Sequence, residues 1–312
     1  MIQPLGLSAI ASDYQAGRLP KPDFIDAMGR CHASWFEYAE FLNGSEVAAI
    51  EITPGRVVLV SSGGVRFVVD PIDRRQPICE ALHFRSYERM DAEMLFALAP
   101  ASGVVFDIGA NRGWYSLHLA KRSPGIQVHA FEPIPKTFAA LQENISENKL
   151  SNVTAHPFGF SRFNGTAEFF FSPDETGASS AANLLQRPDV RPVTVEMRRL
   201  DDFWSEYGGR IDFIKCDVEG AELFVFEGGL QAIESRPVIF CEMLRKWSAK
   251  FGYHPDAIIT LLAKNGYKCF AVDAGRLCLM THIEETTLQT NFFFLHQTAH
   301  RHLLDTTVPA RD

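Results

Sequence analysis

Val104-Val-Phe-Asp-Ile-Gly-Ala-Asn-Arg-Gly-Trp-Tyr115 decides how this chain folds. A short apolar run ends in an acid, Asp107, and a tight turn follows with glycines at Gly109 and Gly113. The residues beyond it (Trp114, Leu117, Leu119, Ala120) read as the start of a buried helix. Strand, glycine turn, helix is how an α/β protein brings its backbone close to a ligand. One βα unit later, His129-Ala-Phe-Glu-Pro133 ends the next apolar run in a second acid, Glu132. An acid at that position can accept hydrogen bonds from the two hydroxyls of a ribose.

The ligand follows from the chemistry of the turn. A dinucleotide fingerprint needs G-x-G-x-x-G. The order here is Asp-x-Gly-x-Asn-x-Gly, without the middle glycine that admits a pyrophosphate. Asp107 also places negative charge where a diphosphate would sit. A ribose-bearing cation without phosphate suits this turn better, and S-adenosylmethionine (SAM) is such a molecule. Gly109 and Gly113 then let the backbone approach its amino-acid part. Asp107 orients the turn or takes the α-ammonium. Asn111 tolerates left-handed geometry and can touch the carboxylate. Glu132, followed by Pro133, takes the ribose diol.

A third segment, Ile211-Asp-Phe-Ile-Lys-Cys-Asp-Val-Glu-Gly-Ala-Glu-Leu223, completes the pattern. With Phe106-Asp-Ile-Gly-Ala-Asn111 and Ala130-Phe-Glu-Pro133, it resembles the FkbM-type family of SAM-dependent methyltransferases over residues 85 to 297. The resemblance implies an α/β, doubly wound, mostly parallel seven-stranded SAM-methyltransferase (Rossmann-like) sheet. It implies O-methylation of a hydroxyl on a sugar, glycolipid or small secondary metabolite. It also supports carrying the motif acids and Lys215 over, although Cys216 stands where an aliphatic residue is more usual. Two other readings are a nucleotide-cofactor oxidoreductase on a similar sheet and a non-catalytic binding protein that keeps the fold.

In open parallel sheets ligands bind beyond the carboxyl ends of the strands, where strand order reverses. Asp107, Glu132, His156-Pro-Phe-Gly159 and Asp217 fall at four such ends. Phe158 or Gly159 is expected on the adenine edge, with Ser161 hydrogen-bonding it. Lys215 and Asp217 share one strand face. Glu219 and Glu222 stand three apart at a helix opening, where acids also complement the helix dipole. Methyl transfer to an alcohol is helped by a base within reach. Asp217 or Glu219 is that base, and Lys215 stabilises the alkoxide or depresses the pKa of an adjacent acid. Glu242 is a further acid at this edge, expected to bind substrate. No dedicated metal-ligand spacing is visible, and no metal is assigned. His118, on a core helix, and His129, inside a strand, read as structural.

Composition agrees with an enzyme of small molecules. The 312 residues are 46% apolar. That is enough for a full core. The net charge of −8 comes without a basic stripe. Nucleic acid is therefore not an expected partner. The partner expected is a small-molecule or glycan acceptor, with a homo-oligomer left open. Six scattered cysteines form no C-x-x-C. They suggest a reducing compartment. No apolar run approaches membrane-spanning length, and the chain is expected to be cytoplasmic.

Two domains are expected, 1–75 and 76–312. In the first, residues 22–42 have helical periodicity, and three short runs (47–52, 56–60, 65–69) read as an antiparallel meander acting as appendage, lid or dimer contact. Residues 1–20 and the tail from His296 carry little pattern. In the second, helix 86–98 precedes strand 103–107, helix 113–121, strand 126–131, helix 135–147 and strand 152–157. Strand candidates 166–171 and 192–197 flank a loop-like stretch, 172–190, that reads as a substrate cover or a hairpin extension. Strand 211–216, helix 221–231, strand 237–241, helix 255–264, strand 267–272 and strand 291–295 complete the alternation.

Overall fold

A computed structural model describes residues 6–171 and 191–307; the stretch 172–190 expected as a cover lies outside the described residues. The N-terminal part carries α1 (Leu7–Gln15), α2 (Lys21–His32), α3 (Ser34–Phe41), β1 (Val47–Thr53), β2 (Arg56–Ser61) and β3 (Arg66–Val68). Next come α4 (Pro77–His83), α5 (Arg89–Leu98), β4 (Ser102–Ile108), α6 (Trp114–Arg122), β5 (Gly125–Phe131), α7 (Pro135–Asn148) and β6 (Val153–His156). A side excursion holds β7 (Gly159–Phe160), β8 (Gly165–Phe171) and β9 (Arg191–Arg198). The chain continues with α8 (Leu200–Tyr207), β10 (Phe213–Cys216), α9 (Glu222–Glu227), α10 (Leu230–Ile233), β11 (Val238–Glu242) and α11 (Arg245–Ser248). It ends with α12 (Asp256–Lys264), β12 (Tyr267–Asp273), β13 (Arg276–Met280), β14 (Asn291–His296) and α13 (Arg301–Thr307).

The main sheet runs β13-β12-β14-β11-β10-β4-β5-β6. The five strands from β11 to β6 are parallel, and β14 lies antiparallel to both β11 and β12. This is the expected doubly wound α/β sheet. The seven anticipated strands are joined by an eighth, β13, because Ala274 and Gly275 at positive φ close a two-residue hairpin back along β12. Two positive-φ residues are what such a turn requires. Strand order reverses between β4 and β10. Their carboxyl ends therefore open a crevice there.

Apolar side chains cover both faces. One layer joins Val105, Leu117, Val128, Leu141, Phe240 and Phe293; the other joins Phe106, Ile108, Ile214, Phe226, Phe292 and Phe294. The meander β1-β2-β3 is not detached from this core, because Leu59, Val65 and Phe67 belong to the first layer. Its open edge is closed by helix α7. Asn144 Oδ1 accepts from the Val68 N–H at 2.9 Å. Asn148 Oδ1 accepts from the Arg66 N–H at 2.8 Å. Polar groups of a helix thus satisfy donors that a bare sheet edge would leave open.

Several elements differ from the periodicity. The helix expected over 22–42 breaks at Ala33. Ser34 Oγ donates to the Cys31 carbonyl at 2.9 Å. It competes for an acceptor the continuing helix would use. Helix 221–231 is split at Gly228-Gly229. Two weak helix formers meet there. The helix expected from Ser86 begins only at Arg89. Helices α1, α4, α8, α11 and α13 go beyond the periodicity. Among α1 to α3 only Cys31 is buried, and Trp35, Phe36 and Tyr38 are exposed. Among the described residues, no helix is long and apolar enough to cross a membrane.

Candidate active site

Gly109 holds the crevice together. Its φ is +76°, and a Cβ there would stand 1.8 Å from the Asp217 carbonyl oxygen. Only glycine lets the turn after β4 pack against the turn after β10. The N–H groups of Gly109 and Ala110 both donate to the Phe131 carbonyl, at 3.0 and 2.9 Å. That of Asn111 donates to Glu132 Oε2 at 3.0 Å. In a phosphate-binding turn such donors would face the ligand. Here the next strand takes them. Asn111 adopts φ +49°, and its Oδ1 is buried without a hydrogen-bond partner among the described residues. Asparagine is one of the few side chains that visit this left-handed region readily.

Asp107 is 1% exposed and acts inside the turn. Its Oδ2 accepts from the N–H (3.1 Å) and hydroxyl (2.6 Å) of Ser116, fastening β4 to α6. Its Oδ1 faces Lys215 Nζ at 3.4 Å. Of its two expected roles, the geometry displays the orienting one. Gly113, at φ +88°, packs on Leu141 rather than on the cavity. The turn is also tied to the N-terminal part, because buried Arg112 pairs with Asp70 and Asp73, each at 3.2 Å.

A cavity of about 190 Å³ opens here. Gly109, Asn111, Glu132, Pro133, Gly159, Ser161, Asp217 and Glu219 all line it, so the expected residues largely converge. Glu132 is buried, and burial pushes its carboxyl up to about 7. Desolvation disfavours the charged form of an acid. Each of its oxygens takes one main-chain N–H, Asn111 on Oε2 (3.0 Å) and Ile134 on Oε1 (2.9 Å). Each oxygen keeps a further lone pair for the cavity. Among the described residues, the lining contains three carboxylates and neither lysine nor arginine.

Phe158 is not at the wall. It sits in an aromatic cluster with Phe131, His156 and Phe203, and Phe160 lines the cavity in its place. The segment 157–160 leaves the main sheet to join β9, and two neighbouring phenylalanines cannot be told apart by hydropathy. The roof comes from the two strands that flank 172–190. Phe169 of β8 and Met197 of β9 pack with Ile134 and Val195 as a separate apolar cluster and face the cavity with Ala167 and Phe163. Alternation in β8 and β9 is the signal that could have marked them as inward-facing.

At the other end stands Lys215. It is 3% exposed. Its Nζ contacts the Gly109 carbonyl (2.8 Å), Asp217 Oδ2 (3.2 Å) and Asp107 Oδ1 (3.4 Å). Burial alone would lower its pKa, but the Asp217 and Asp107 carboxylates outweigh it and the ammonium is held charged. Opposite charges at this range favour the ionised form. Asp217, Glu219 and Glu242 converge, with one carboxylate oxygen from each lying within 4.8 Å of the others. Such a trio can hold a divalent cation or share protons. Burial, then the charge of Asp217, pushes both Glu219 and Glu242 well above the ordinary carboxylate range. Neither Lys215 nor Glu242 lines the cavity that Glu132 lines.

Glu222 is structural. Its Oε1 accepts from the N–H groups of Val218 (3.0 Å) and Gly220 (2.9 Å), bracing the turn that carries Asp217 and Glu219. Glu219 itself has φ +54°. His118 bonds Ser61 Oγ (2.8 Å) and the Trp114 carbonyl (2.7 Å), and burial lowers its pKa to about 4. His129 bonds His156 at 3.0 Å. Neither histidine lines the cavity.

The crevice lies at the switch point of a doubly wound α/β sheet, with Glu132, Asp217 and Glu219 in its wall. Residues 107–269 match the methyltransferase FkbM domain, and the chain belongs to that family. It is 31% identical over 149 residues to "Methyltransferase 1" of Beauveria bassiana (strain ARSEF 2860), covering 41% of this chain and 59% of that protein. It is 34% identical over 158 residues to "Methyltransferase sdnD" of Sordaria araneosa, covering 41% and 61%. It is 30% identical over 168 residues to "2-O-methyltransferase NoeI" of Sinorhizobium fredii (strain NBRC 101917 / NGR234), covering 49% and 68%. The chain thus spans about three fifths of the length of the first two relatives.

Proposed function

We propose that this protein transfers the methyl group of SAM to a hydroxyl of a small-molecule or glycan acceptor. The observation that carries the reading is the cavity's lining: among the described residues it has three carboxyls, no lysine or arginine and a buried Asn111 amide oxygen without a partner, and the turn's N–H groups are already taken. That suits a cation with a ribose diol and disfavours a diphosphate, which weighs against the oxidoreductase reading.

The residues fit the group. Glu132 would hold the diol, Asn111 and Gly109 would border the amino-acid part, and Phe160, Phe169 and Met197 would enclose the base. When bound, SAM supplies a methyl carbon activated by a sulfonium. The chain's own task is to align the acceptor and take its proton. Asp217 lines the cavity and reaches Lys215, so we assign the proton to Asp217. Glu219 and Glu242 provide neighbouring carboxyls to bind the acceptor. The name of NoeI, a 2-O-methyltransferase, supports oxygen as the atom methylated.

The test pairs binding with turnover. SAM and S-adenosylhomocysteine should stabilise the purified protein in a thermal-shift titration, and NAD should not. Asp217→Asn should bind SAM but lose about 100-fold or more in methyl transfer. Stabilisation by NAD alone, or unchanged transfer in Asp217→Asn, overturns the reading.

A further inference from the structure

Glu88 belongs to none of the sequence motifs and lies upstream of the matched region. It directly precedes α5, where a glutamate would ordinarily face the free N–H groups of the first helical turn. Yet no side chain caps α5 there, and Glu88 holds φ at +47°. Non-glycine residues rarely adopt that left-handed conformation. Arg85 at φ +72° is a second such position three residues earlier. Strain of this kind persists only where surrounding structure imposes it, and it gathers at functional sites.

The bend aims the carboxylate elsewhere. Tyr115 Oη donates to Glu88 Oε2 at 2.5 Å, and beside it Asn291 Nδ2 donates to Asp91 Oδ2 at 3.3 Å. Tyr115 and Asn291 are each 4% exposed, so the surroundings are fixed, while Glu88 itself is only half-buried. These surroundings adjoin Lys215 and the strand that carries Glu242. Lys215 Nζ lies 5.8 Å from the Tyr115 ring centroid, and Asn291 on β14 is in register with Glu242 on β11. The charges of Asp217 and Lys215 both act on Glu88. It does not line the cavity of Glu132.

We infer that Glu88 is an acceptor-binding residue. Its carboxylate accepts a hydrogen bond from a hydroxyl of the acceptor adjacent to the one methylated, and Tyr115 is its positioning residue. A carboxylate only accepts, so the acceptor must present a donor there, which favours a polyhydroxylated molecule over one with a lone alcohol. The inference rests on the O-methyltransferase reading.

The experiment follows methyl transfer from labelled SAM to a panel of methyl pyranosides and their monodeoxy analogues. Glu88→Gln keeps an oxygen for Tyr115 and removes the charge; Glu88→Asp serves if that variant does not fold. The expected result is a KM for the best pyranoside raised about tenfold or more, kcat within about threefold, and unchanged SAM affinity by calorimetry. On the analogue lacking the recognised hydroxyl, wild type and variant should have equal kcat/KM. Tyr115→Phe should move KM in the same direction. An unchanged KM, or an equal loss on every analogue, overturns the role of Glu88 alone. A wild-type protein that binds SAM and methylates no member of the panel overturns this inference; one that does not bind SAM overturns the methyltransferase reading itself.

Discussion

Asn111 donates its main-chain N–H to Glu132 Oε2 at 3.0 Å, so the glycine turn after β4 and the acid after β5 form one unit. The acid that would hold the ribose also sets the turn that would border the amino acid. Glu132→Ala should therefore weaken SAM binding by about 1–3 kcal/mol, the scale for losing hydrogen bonds to a charged group. Calorimetry on the folded variant checks this; unchanged affinity would exclude the diol role.

The same carboxyl gives a pH dependence. Burial holds Glu132 at about 7, above the ordinary glutamate range. A cation and a hydrogen-bonding diol both favour the ionised form, so SAM binding should lower that pKa and release a proton. Affinity should rise between about pH 6 and pH 8, as the free carboxyl gives up its proton. Titrations in two buffers of different ionisation enthalpy would count the proton. No proton release across that range, or tighter binding at lower pH, contradicts the assignment.

Glu222 should report on stability instead. Its folded pKa is about 7, raised by burial against the N–H groups of Gly220 and Val218, which lower it. A raised folded pKa means the native state keeps a proton that the unfolded chain gives up. Its stabilising contribution is present below the ordinary carboxylate range and is lost as pH rises through about 7. Glu222→Gln keeps an acceptor for both N–H groups but cannot ionise, so the fall in melting temperature from about pH 5 to pH 8 should be shallower than in wild type. An unaltered slope would show that this carboxyl does not titrate there.

Gly109→Ala should be severe. The added Cβ meets the Asp217 carbonyl at 1.8 Å, and the φ of +76° disfavours any side chain. The expected loss is about 3 kcal/mol or more, from strain at a left-handed position plus displacement of the Asp217 turn. Denaturant unfolding measures it; a loss under about 1 kcal/mol would mean that the two turns are not locked together.

What the sequence disclosed was what has a single physical cause. Asp107, Gly109 and Glu132 were legible because an acid or glycine closing an apolar strand has few other uses. Asp217 and Glu219 were legible through a spaced motif. Phe158 and Phe160 were not separable, since both are apolar and only the departure of the chain toward β9 decides which one meets the cavity. Phe169 and Met197 stood only inside strand candidates, because their role depends on where a hairpin folds over a distant turn. Glu88 was hidden inside an apparent helix, and its left-handed backbone arises from tertiary contacts that no local propensity encodes. The eighth strand escaped because the Ala274-Gly275 turn closes it. Ala-Gly is a weaker hairpin signal than Asn-Gly.

A structure of the protein with S-adenosylhomocysteine tests the central claim most directly. The account predicts both ribose hydroxyls within hydrogen-bond distance of Glu132, the base beneath Phe169 and Met197, and the sulfur turned toward Asp217. Ligand seated away from Glu132, or with its ribose facing solvent, would contradict it.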